Sequence, residues 1–580
     1  MRKSYVVLSL TALCSVAWAG SLGDSPRPYL DTRHGARQLI VDGKPFLILG
    51  GELHNSSSSS LAYMKTLWPV LVEKKLNTVL AAVPWESIEP TEGKFDFTLV
   101  DGLLQEARQN QMRLVFLWFG SWKNGVSSYP PMWVKTDPKR FPLVKDKSGK
   151  TLNVLSTFGT ATRVADAKAF AALLRHLREV DGQAHTVLMM QVENEVGVLG
   201  DSRDHSPAAE EAFAGPVPKE LMTYLQQHQD ALFPEFLETW KANGLKTSGS
   251  WAEVFGESNS NSPATITHPR AAEAGGIHWA PDSVFMAWQY ARYVNKVTEA
   301  GKAEYDLPMY ANAWLAGPTT RPGDYPSGGP VPTVADIWRA GAPRIDFQAP
   351  DLYAVQFDEV SANFARNGNP LFVPETRAGL QGATNVFTAL FKRNGFGFSP
   401  FAIEDRGFGP RGQEAAAAPP ADPLADTYAI LEYLAPDILN AQGRNMIALL
   451  EGTDSNSPPQ TVKLGDYTLA ITYGSPAGAR GSRGGGAATS PATPNASPAR
   501  FVICAGPSEY VIVGGPMSVT FTPNQPGSGT TQLGSFDEAM YVGGRWVPGR
   551  RLNGDETGHN SRWPALRAFG IYRYRVFQRD

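Results

Sequence analysis

Short apolar runs recur along the first 400 residues, and longer stretches with helical spacing of apolar positions separate them. Eight of these runs predict β-strands. They lack strict alternation of polar and apolar residues, which is typical of strands that are buried on both faces. The eight predicted strands are Phe46–Gly50, Thr78–Val83, Leu114–Phe119, Thr186–Val192, Met309–Trp314, Asp346–Pro350, Leu371–Val373 and Gly397–Ile403.

The segments between the predicted strands carry apolar stripes that indicate helices. After the first strand, for example, Leu61, Met64, Leu67 and Leu71 recur at helical spacing. Alternating strands and helices indicate parallel βα units, and eight units predict an α/β fold, the (β/α)8 TIM barrel, with its active site at the C-terminal strand ends. The alternative is a doubly wound open sheet. That fold normally carries a glycine-rich phosphate loop after its first strand, and GGELHNSS is not such a loop.

The pattern divides the chain into two domains that follow a short leader. The barrel is predicted over residues 20–443, with an insertion at about 197–305, because the interval between the fourth and fifth strands is long for one βα unit. Residues 444–580 alternate short strand runs with turn residues and predict an all-β sandwich. Gly, Ala, Ser and Pro dominate residues 474–499, which predicts a disordered loop within the sandwich.

The first 19 residues have the composition of a secretory signal peptide. Arg2 and Lys3 precede an apolar run that is too short to span a bilayer, and Ala17-Trp18-Ala19 forms a small-x-small cleavage site. We therefore expect a secreted protein, periplasmic in a Gram-negative host. No later apolar stretch predicts a membrane span, and 53 basic against 56 acidic residues provide no positive field for nucleic acid.

Carboxylates stand at the ends of two predicted strands. The fourth strand runs into Glu193, Asn194 and Glu195, and the seventh is followed by Glu375. Buried carboxylates are costly unless they are paired or used, and cleavage of a glycosidic bond with retention needs two carboxyl groups about 5–5.5 Å apart. The alternatives are an exposed loop after the fourth strand and an ion pair between Glu375 and Arg377.

Several stretches together resemble a known enzyme family. QVENE, at residues 191–195, resembles the QVENEYG motif of the β-galactosidases of glycoside hydrolase family 35. VPWESIEPTEGKFDF, at residues 83–97, resembles that family's VPWNxHEPxxGxFDF. The closing segment FGIYRYRVFQ is similar to the C-terminal domain of a bacterial branch of the family. The resemblance covers most of the chain and implies a retaining glycosidase of clan A.

This resemblance implies a role for each residue at the strand ends. Glu195 would be the general acid/base, Glu375 the nucleophile, and Asn194 would bind the 2-hydroxyl of the sugar. Tyr353 matches the tyrosine that positions the nucleophile, with a core tyrosine as the alternative. The implied activity is a retaining exo-β-galactosidase that removes terminal non-reducing β-D-galactosyl residues from oligosaccharides, such as xyloglucan fragments.

The sequence departs from the family pattern after the third strand, where the family's CAEW supplies a glutamate that contacts galactose. Here the stretch reads FGSWKNG, without a carboxylate, so other residues must recognise the sugar. Polar candidates near strand ends are Glu52, His54, Glu86 and Asn124. Aromatic candidates, for which core packing is the alternative, are Trp85, Trp122 and Trp314.

The sequence gives no indication of a cofactor. Its nine histidines show no metal-ligand spacing such as HExxH, so we predict no catalytic metal. Two other functions stay open: another clan A retaining β-glycosidase, acting on glucosides, mannosides or fucosides, and a non-catalytic glycan-binding barrel. Loss of Glu195 or Glu375 would indicate the latter, and both are present. The sandwich is interpreted as a structural brace, with glycan binding as the alternative.

Overall fold

The computed structural model describes residues 26–257, 280–317, 320–354, 356–405, 422–452, 454–474, 499–525, 529–557 and 563–579. The predicted signal peptide lies outside these residues. So does almost all of the loop predicted at 474–499, of which only the two end residues are described.

A closed parallel barrel forms the first part of the described chain, which confirms the predicted fold class. Its strands are β4 (Ile48–Glu52), β5 (Thr78–Pro84), β6 (Arg113–Lys123), β9 (Val187–Asn194), β10 (Met309–Trp314), β11 (Phe347–Leu352), β12 (Phe372–Val373), β13 (Glu375–Thr376) and β14 (Gly397–Phe398). Three antiparallel strands precede the barrel and one hairpin follows β6. They are β1 (Tyr29–Arg33), β2 (Ala36–Val41), β3 (Lys44–Phe46), β7 (Leu143–Lys145) and β8 (Thr151–Leu155).

Pro374 splits the seventh barrel strand into two halves. The first half, β12, pairs in parallel with β14, whereas the second half, β13, pairs with β11. Proline has no N–H to donate to a ladder, which fits an interruption at this position. The two halves together close the barrel between its sixth and eighth strands, and Glu375 is the first residue after the break.

Helices surround the barrel, and one of them packs unusually closely. Within the described residues of the predicted insertion, four short helices (α6 to α9) precede the long α10, which lies along α5 as a barrel helix does. Gly301 of α10 allows this approach, because a Cβ there would stand 2.3 Å from the Phe170 ring. The helices are α1 (Leu61–Glu73), α2 (Trp85–Ile88), α3 (Thr98–Gln109), α4 (Met132–Lys135), α5 (Thr160–Asp181), α6 (Pro207–Ala214), α7 (Lys219–Gln227), α8 (Pro234–Ala242), α9 (Trp251–Phe255), α10 (Ala280–Glu304), α11 (Ala335–Gly341), α12 (Phe357–Phe364), α13 (Gly379–Phe387) and α14 (Pro423–Ala441).

Two antiparallel sheets form the C-terminal part of the chain. A six-stranded sheet has the order β15-β18-β19-β24-β21-β22, and a four-stranded sheet has the order β16-β17-β20-β23. Apolar side chains fill the space between them, as in other β-sandwiches. The strands are β15 (Ile447–Leu450), β16 (Gln460–Leu464), β17 (Tyr467–Tyr473), β18 (Arg500–Gly506), β19 (Glu509–Gly514), β20 (Met517–Pro523), β21 (Thr530–Val542), β22 (Arg545–Arg551), β23 (Ala565–Leu566) and β24 (Gly570–Arg579).

The outer face of the six-stranded sheet packs against the barrel. Phe501 of β18 meets Phe387 and Phe391, with ring centroids 5.5 and 4.9 Å apart. Arg573 of β24 also donates a 2.7 Å hydrogen bond to Asp437 of α14. These contacts bury the middle of the sheet on both faces, which favours the structural-brace interpretation. Among the described helices, none has both the length and the apolar character needed to cross a bilayer.

The aromatic cluster in the barrel interior generates a stability prediction. The Phe372 side chain is fully buried, and its ring contacts those of Tyr310, Phe347 and Phe396. Phe372→Ala should cost about 3–5 kcal/mol, because it leaves a cavity in a closely packed interior. We expect the thermal unfolding midpoint to fall by several degrees. Leu380→Ala, at a side chain that is 63% exposed, is the control and should change it little. Equal effects of the two substitutions would contradict this packing.

Candidate active site

Carboxyl groups converge at the C-terminal end of the barrel. Glu52 ends β4, Glu195 follows β9, Asp351 lies on β11 and Glu375 begins β13, and all four side chains are buried. One carboxylate oxygen from each of Glu195, Asp351 and Glu375 lies within 4.8 Å of the others. This short separation fits the two carboxyl groups of a retaining glycosidase, since inverting enzymes keep theirs about 6.5–9.5 Å apart.

The backbone at the end of β9 has an unusual conformation that positions Glu195. Glu193 and Glu195 have positive φ angles of 63° and 44°, which residues other than glycine rarely adopt. Two hydrogen bonds hold this turn. The Glu193 carboxylate accepts from the Trp122 backbone N–H at 2.9 Å, and the Glu195 N–H donates to Asn312 Oδ1 at 2.9 Å. Strain that is stabilised in this way is typical of functional sites.

Asn312 connects the acid/base candidate to Asp351. Its Oδ1 accepts from the Glu195 N–H, and its Nδ2 donates to Asp351 Oδ2 at 2.7 Å. Carboxyl oxygens of Asp351 and Glu195 lie within 4.8 Å of each other, so a protonated carboxyl of one can donate to the carboxylate of the other. The sequence analysis singled out Tyr353 in the APDLY stretch and missed Asp351, two residues earlier at the strand end.

Burial changes the protonation of this cluster. Burial and the neighbouring Glu195 charge raise the pKa of Glu375 to about 7, although Lys123 opposes the change. Burial also raises the pKa of Glu195, and Lys123 and the hydrogen bond from Asp351 oppose it. The pKa of Asp351 is well above its ordinary value because of burial and the charges of Glu375 and Glu195. The cluster therefore retains protons at neutral pH.

Lys123, at the end of β6, is the cation of this cluster, and sequence reasoning missed it although both of its neighbours were candidates. Its side chain is 4% exposed and acts electrostatically on Glu375, Glu195 and Glu52. Trp122, by contrast, belongs to the core. Its indole donates to the Leu155 carbonyl at 3.0 Å, and its ring packs against two tyrosines. Successive side chains on a strand point to opposite faces, so Lys123 and not Trp122 faces the carboxylates.

Three predicted site residues lie at the cluster with unsatisfied or perturbed polar groups. Asn194 is buried, and neither its amide nitrogen nor its amide oxygen has a partner among the described residues. Glu52 Oε1 is likewise buried without a partner there. Burial, followed by the charge of Glu375, raises the pKa of the Tyr353 hydroxyl.

His54 and its partners lie beside this cluster. Its ring Nε2 is 3.0 Å from Asp405, and its backbone N–H donates to Glu404 Oε1 at 2.9 Å. Glu404, which follows the eighth strand, is buried and also accepts from Ser57 Oγ at 2.7 Å, while its Oε2 has no partner among the described residues. Glu404 was not predicted from the sequence, although a carboxylate directly after the end of the predicted strand Gly397–Ile403 was the available signal.

The remaining candidates are scattered. Trp85 is fully buried, and its indole N–H donates to Glu89 at 3.0 Å. It is therefore a core residue and offers no face to a sugar. Glu86 is exposed and ion-paired with Lys135 at 3.0 Å. Asn124 is half-buried in a turn with a φ of 53°. Trp314, at the end of β10, is 39% exposed and offers a face on which a sugar could stack.

The carboxylates of Glu195, Asp351 and Glu375 are also close enough to bind one cation together. Lys123 already supplies a positive charge to the cluster. The absence of a catalytic metal stays a prediction.

Two family models match the chain. The glycoside hydrolase family 42 model, described as "Beta-galactosidase", matches residues 63–300, which include Glu195. A model described as "Domain of unknown function (DUF5597)" matches residues 424–563. The matching glycosidase model is that of family 42, so the comparisons do not support the predicted membership of family 35.

Individual relatives are distant. Beta-galactosidase 14 of Arabidopsis thaliana is 30% identical over 100 residues, which are 17% of this chain and 10% of that protein. The chain thus matches only about a tenth of the length of this curated relative. The structure is similar to a beta-galactosidase from Bacillus circulans sp. alkalophilus, with a TM-score of 0.44, 14% identity, and coverage of 68% of this chain and 57% of that one. A beta-amylase catalytic domain from Paenibacillus polymyxa gives a TM-score of 0.40, 14% identity, and coverage of 63% and 94%.

The parallel barrel and the family match together indicate the glycoside hydrolase class. More particularly, residues 63–300 are similar to the family 42 β-galactosidase type.

Glu375→Gln should change stability in a pH-dependent way. The pKa of the buried carboxyl rises from 4.5 to about 7, so folding favours its neutral form. The contribution of this carboxyl to the free energy of unfolding of the parent is greatest below pH 4.5 and falls as the pH rises towards 7. The amide of the variant does not titrate, so its contribution stays constant. We expect the variant to gain stability relative to the parent between about pH 5 and about pH 8. The gain should be on the order of 3 kcal/mol, since one pKa unit is about 1.4 kcal/mol.

Thermal unfolding of both proteins at the two pH values measures this difference. Glu220→Gln, at an exposed position on α7, is the control for loss of one charge. A melting difference between Glu375→Gln and the parent that stays constant with pH would refute the buried-carboxyl description.

Proposed function

We propose that this protein is a retaining exo-β-galactosidase that hydrolyses terminal non-reducing β-D-galactosyl residues by double displacement. The observation that carries the proposal is the pair formed by Glu195 and Glu375, whose carboxylate oxygens lie within 4.8 Å at the C-terminal end of the barrel. The match to a β-galactosidase model over residues 63–300 supports galactose as the sugar.

In the first step, Glu375 attacks the anomeric carbon while Glu195 protonates the departing glycosidic oxygen. The bond from the anomeric carbon to that oxygen breaks, and an ester between the sugar and Glu375 forms. The proton for this step is available locally, because the carboxyl groups of Asp351 and Glu195 lie close together and both have raised pKa values. Lys123 favours the ionised form of Glu375 that the attack requires.

In the second step, a water molecule attacks the anomeric carbon and Glu195 accepts its proton. The ester breaks, Glu375 leaves as a carboxylate, and the product keeps the β configuration. Formation of the ester removes the negative charge of Glu375. This change lowers the pKa of Glu195, so the residue that acted as an acid becomes a base.

Two side chains of the site, one polar and one aromatic, are suited to hold the sugar. The unsatisfied amide of Asn194 fits the predicted contact with the 2-hydroxyl, which strengthens in the transition state. Trp314 lies at the end of the neighbouring strand β10, where its exposed ring can stack on a sugar of the leaving group.

A xyloglucan fragment is the proposed natural substrate, on the sequence resemblance alone. Export by the segment at residues 1–19 belongs to the same proposal, and cell fractionation tests it.

A panel of aryl β-glycosides tests the sugar and the catalytic roles together. We expect the galactoside to be preferred, and β-galactose to be the first product seen by NMR. Glu375→Ala should lower kcat/KM roughly 10⁴-fold or more for every leaving group. Glu195→Ala should affect poor leaving groups far more than activated ones, because only the former need protonation.

Glu220→Ala is the matched control and should keep parental activity. A preference for another glycoside would overturn the sugar assignment, whereas α-galactose as the first product would overturn the retaining mechanism.

Asp351→Asn should change the pH dependence of hydrolysis. The amide can still hydrogen-bond to Asn312 and Glu195, but it cannot hold a proton. An amide N–H donates a weaker hydrogen bond to the Glu195 carboxylate than a carboxyl O–H does, so part of the lowering that Asp351 exerts on the pKa of Glu195 is lost. We expect the alkaline limb of kcat/KM to move to higher pH, by less than about one unit. Asp101→Asn, on the outer helix α3, should leave both limbs in place. An unchanged alkaline limb in Asp351→Asn would exclude proton sharing with Glu195.

A further inference from the structure

The ammonium group of Lys123 has an unusual environment. The side chain is 4% exposed, yet no described residue lies within hydrogen-bond or ion-pair distance of its Nζ, and its interactions with the neighbouring acids are electrostatic only. Its nearest described ring is that of Phe119, whose centroid is 5.2 Å away. Buried ammonium groups are normally paired, because desolvation of an unpaired charge is costly. The group therefore has three donors available for something other than the protein.

Carboxylates face this ammonium from several barrel strands. Glu375, Glu195, Glu52 and Asp351 all act on it electrostatically, although none of them forms an ion pair or hydrogen bond with it. The space between the cation and these acids is the place where the sugar must lie, since Glu195 and Glu375 both have to reach it. Lys123 thus points into the sugar-binding position from the third strand, whereas the catalytic pair approaches it from the fourth and seventh strands.

The unsatisfied atoms around this position are mostly acceptors. Glu52 Oε1, Glu195 Oε2 and Asp351 Oδ1 are buried without partners among the described residues. A ligand that satisfies them must offer donors to the carboxylates and an acceptor to Lys123. Sugar hydroxyls do both at once, because each can donate one hydrogen bond and accept two. A sugar that carries a carboxylate or a sulfate would face four acidic groups and be repelled.

We propose that Lys123 is a specificity-determining residue, which donates from Nζ to a hydroxyl oxygen of the terminal sugar while Glu52 accepts the proton of that same hydroxyl. The proposal rests on the proposed function, because it assigns the recognition of the sugar at that site. The hydroxyl is one at C3, C4 or C6, since the 2-hydroxyl is assigned to Asn194. Lys123 thus takes the sugar-binding role of the glutamate that the family 35 pattern has after the third strand and that this chain lacks.

Deoxygenated substrates provide the test. We measure kcat/KM for an aryl β-galactoside and its 3-, 4- and 6-deoxy forms with the parent and with Lys123→Met. In the parent, removal of the hydroxyl that Lys123 binds should lower kcat/KM by roughly 10- to 150-fold, as expected for a hydrogen bond to a charged group. In Lys123→Met, the same deletion should cost less than about 3-fold, while the other two deletions keep their parental cost.

Each ratio is taken within one variant, so a general loss of activity does not affect it. Lys123→Gln, which keeps a donor, should give an intermediate cost and serves where Lys123→Met does not fold. Lys44→Met, at an exposed position on β3, is the control and should reproduce the parental pattern. If Lys123→Met lowers kcat/KM by one factor for all four substrates, Lys123 acts only through the charge of Glu375 and the proposal is overturned.

Failure of the proposed function gives a different result. If the parent hydrolyses no aryl glycoside, the catalytic assignment fails, and calorimetric binding of D-galactose and its deoxy forms replaces the kinetic measurement. Selective loss of one hydroxyl's contribution in Lys123→Met would then still support the binding role. Equal binding of galactose by the parent and Lys123→Met, or no binding by either, would overturn it.

Discussion

Four buried carboxyl groups lie in one pocket at the end of the barrel. The electrostatic cost of bringing them together explains the protonation of the cluster and its need for a nearby cation. Glu52, Glu195, Asp351 and Glu375 come from four different strands, and barrel closure brings them together. Like charges at this distance cannot all be ionised, so the cluster retains protons and needs a cation. Lys123 provides the cation. The Asn312 amide accepts a hydrogen bond from the Glu195 N–H and donates one to Asp351, which fixes the positions of these two residues relative to each other.

Much of the fold was predictable from the chain, because strands that are buried on both faces leave continuous apolar runs. All eight predicted runs correspond to barrel strands, and the polar residues that follow two of them include Glu195 and Glu375, the proposed catalytic pair. The split at Pro374 was not predicted. A two-residue strand on either side of a proline gives too short a pattern to separate from one strand.

The residues that sequence reasoning missed share a physical reason. Lys123, Asp351 and Glu404 are charged, and a charged residue near a strand end looks the same in sequence whether it faces solvent or the pocket. Only the strand register determines whether such a side chain faces solvent, the core or the pocket. Trp122 and Lys123 are neighbours in sequence, yet Trp122 points into the core and Lys123 towards the carboxylates. The family motifs implied roles for glutamate and tyrosine residues only, so they gave no reason to predict a lysine in the site.

The six-stranded sheet of the C-terminal domain, buried against both its partner sheet and the barrel, has a consequence for how this chain can be altered. A domain joined by a flexible tether can be exchanged or lost, because its removal uncovers little apolar surface. Removal of this one would uncover Phe387 and Phe391 on the barrel helices and leave α14 without its cover. The barrel and the sandwich should therefore fold and unfold as one unit, and neither can be shortened without exposing the apolar surface of the other.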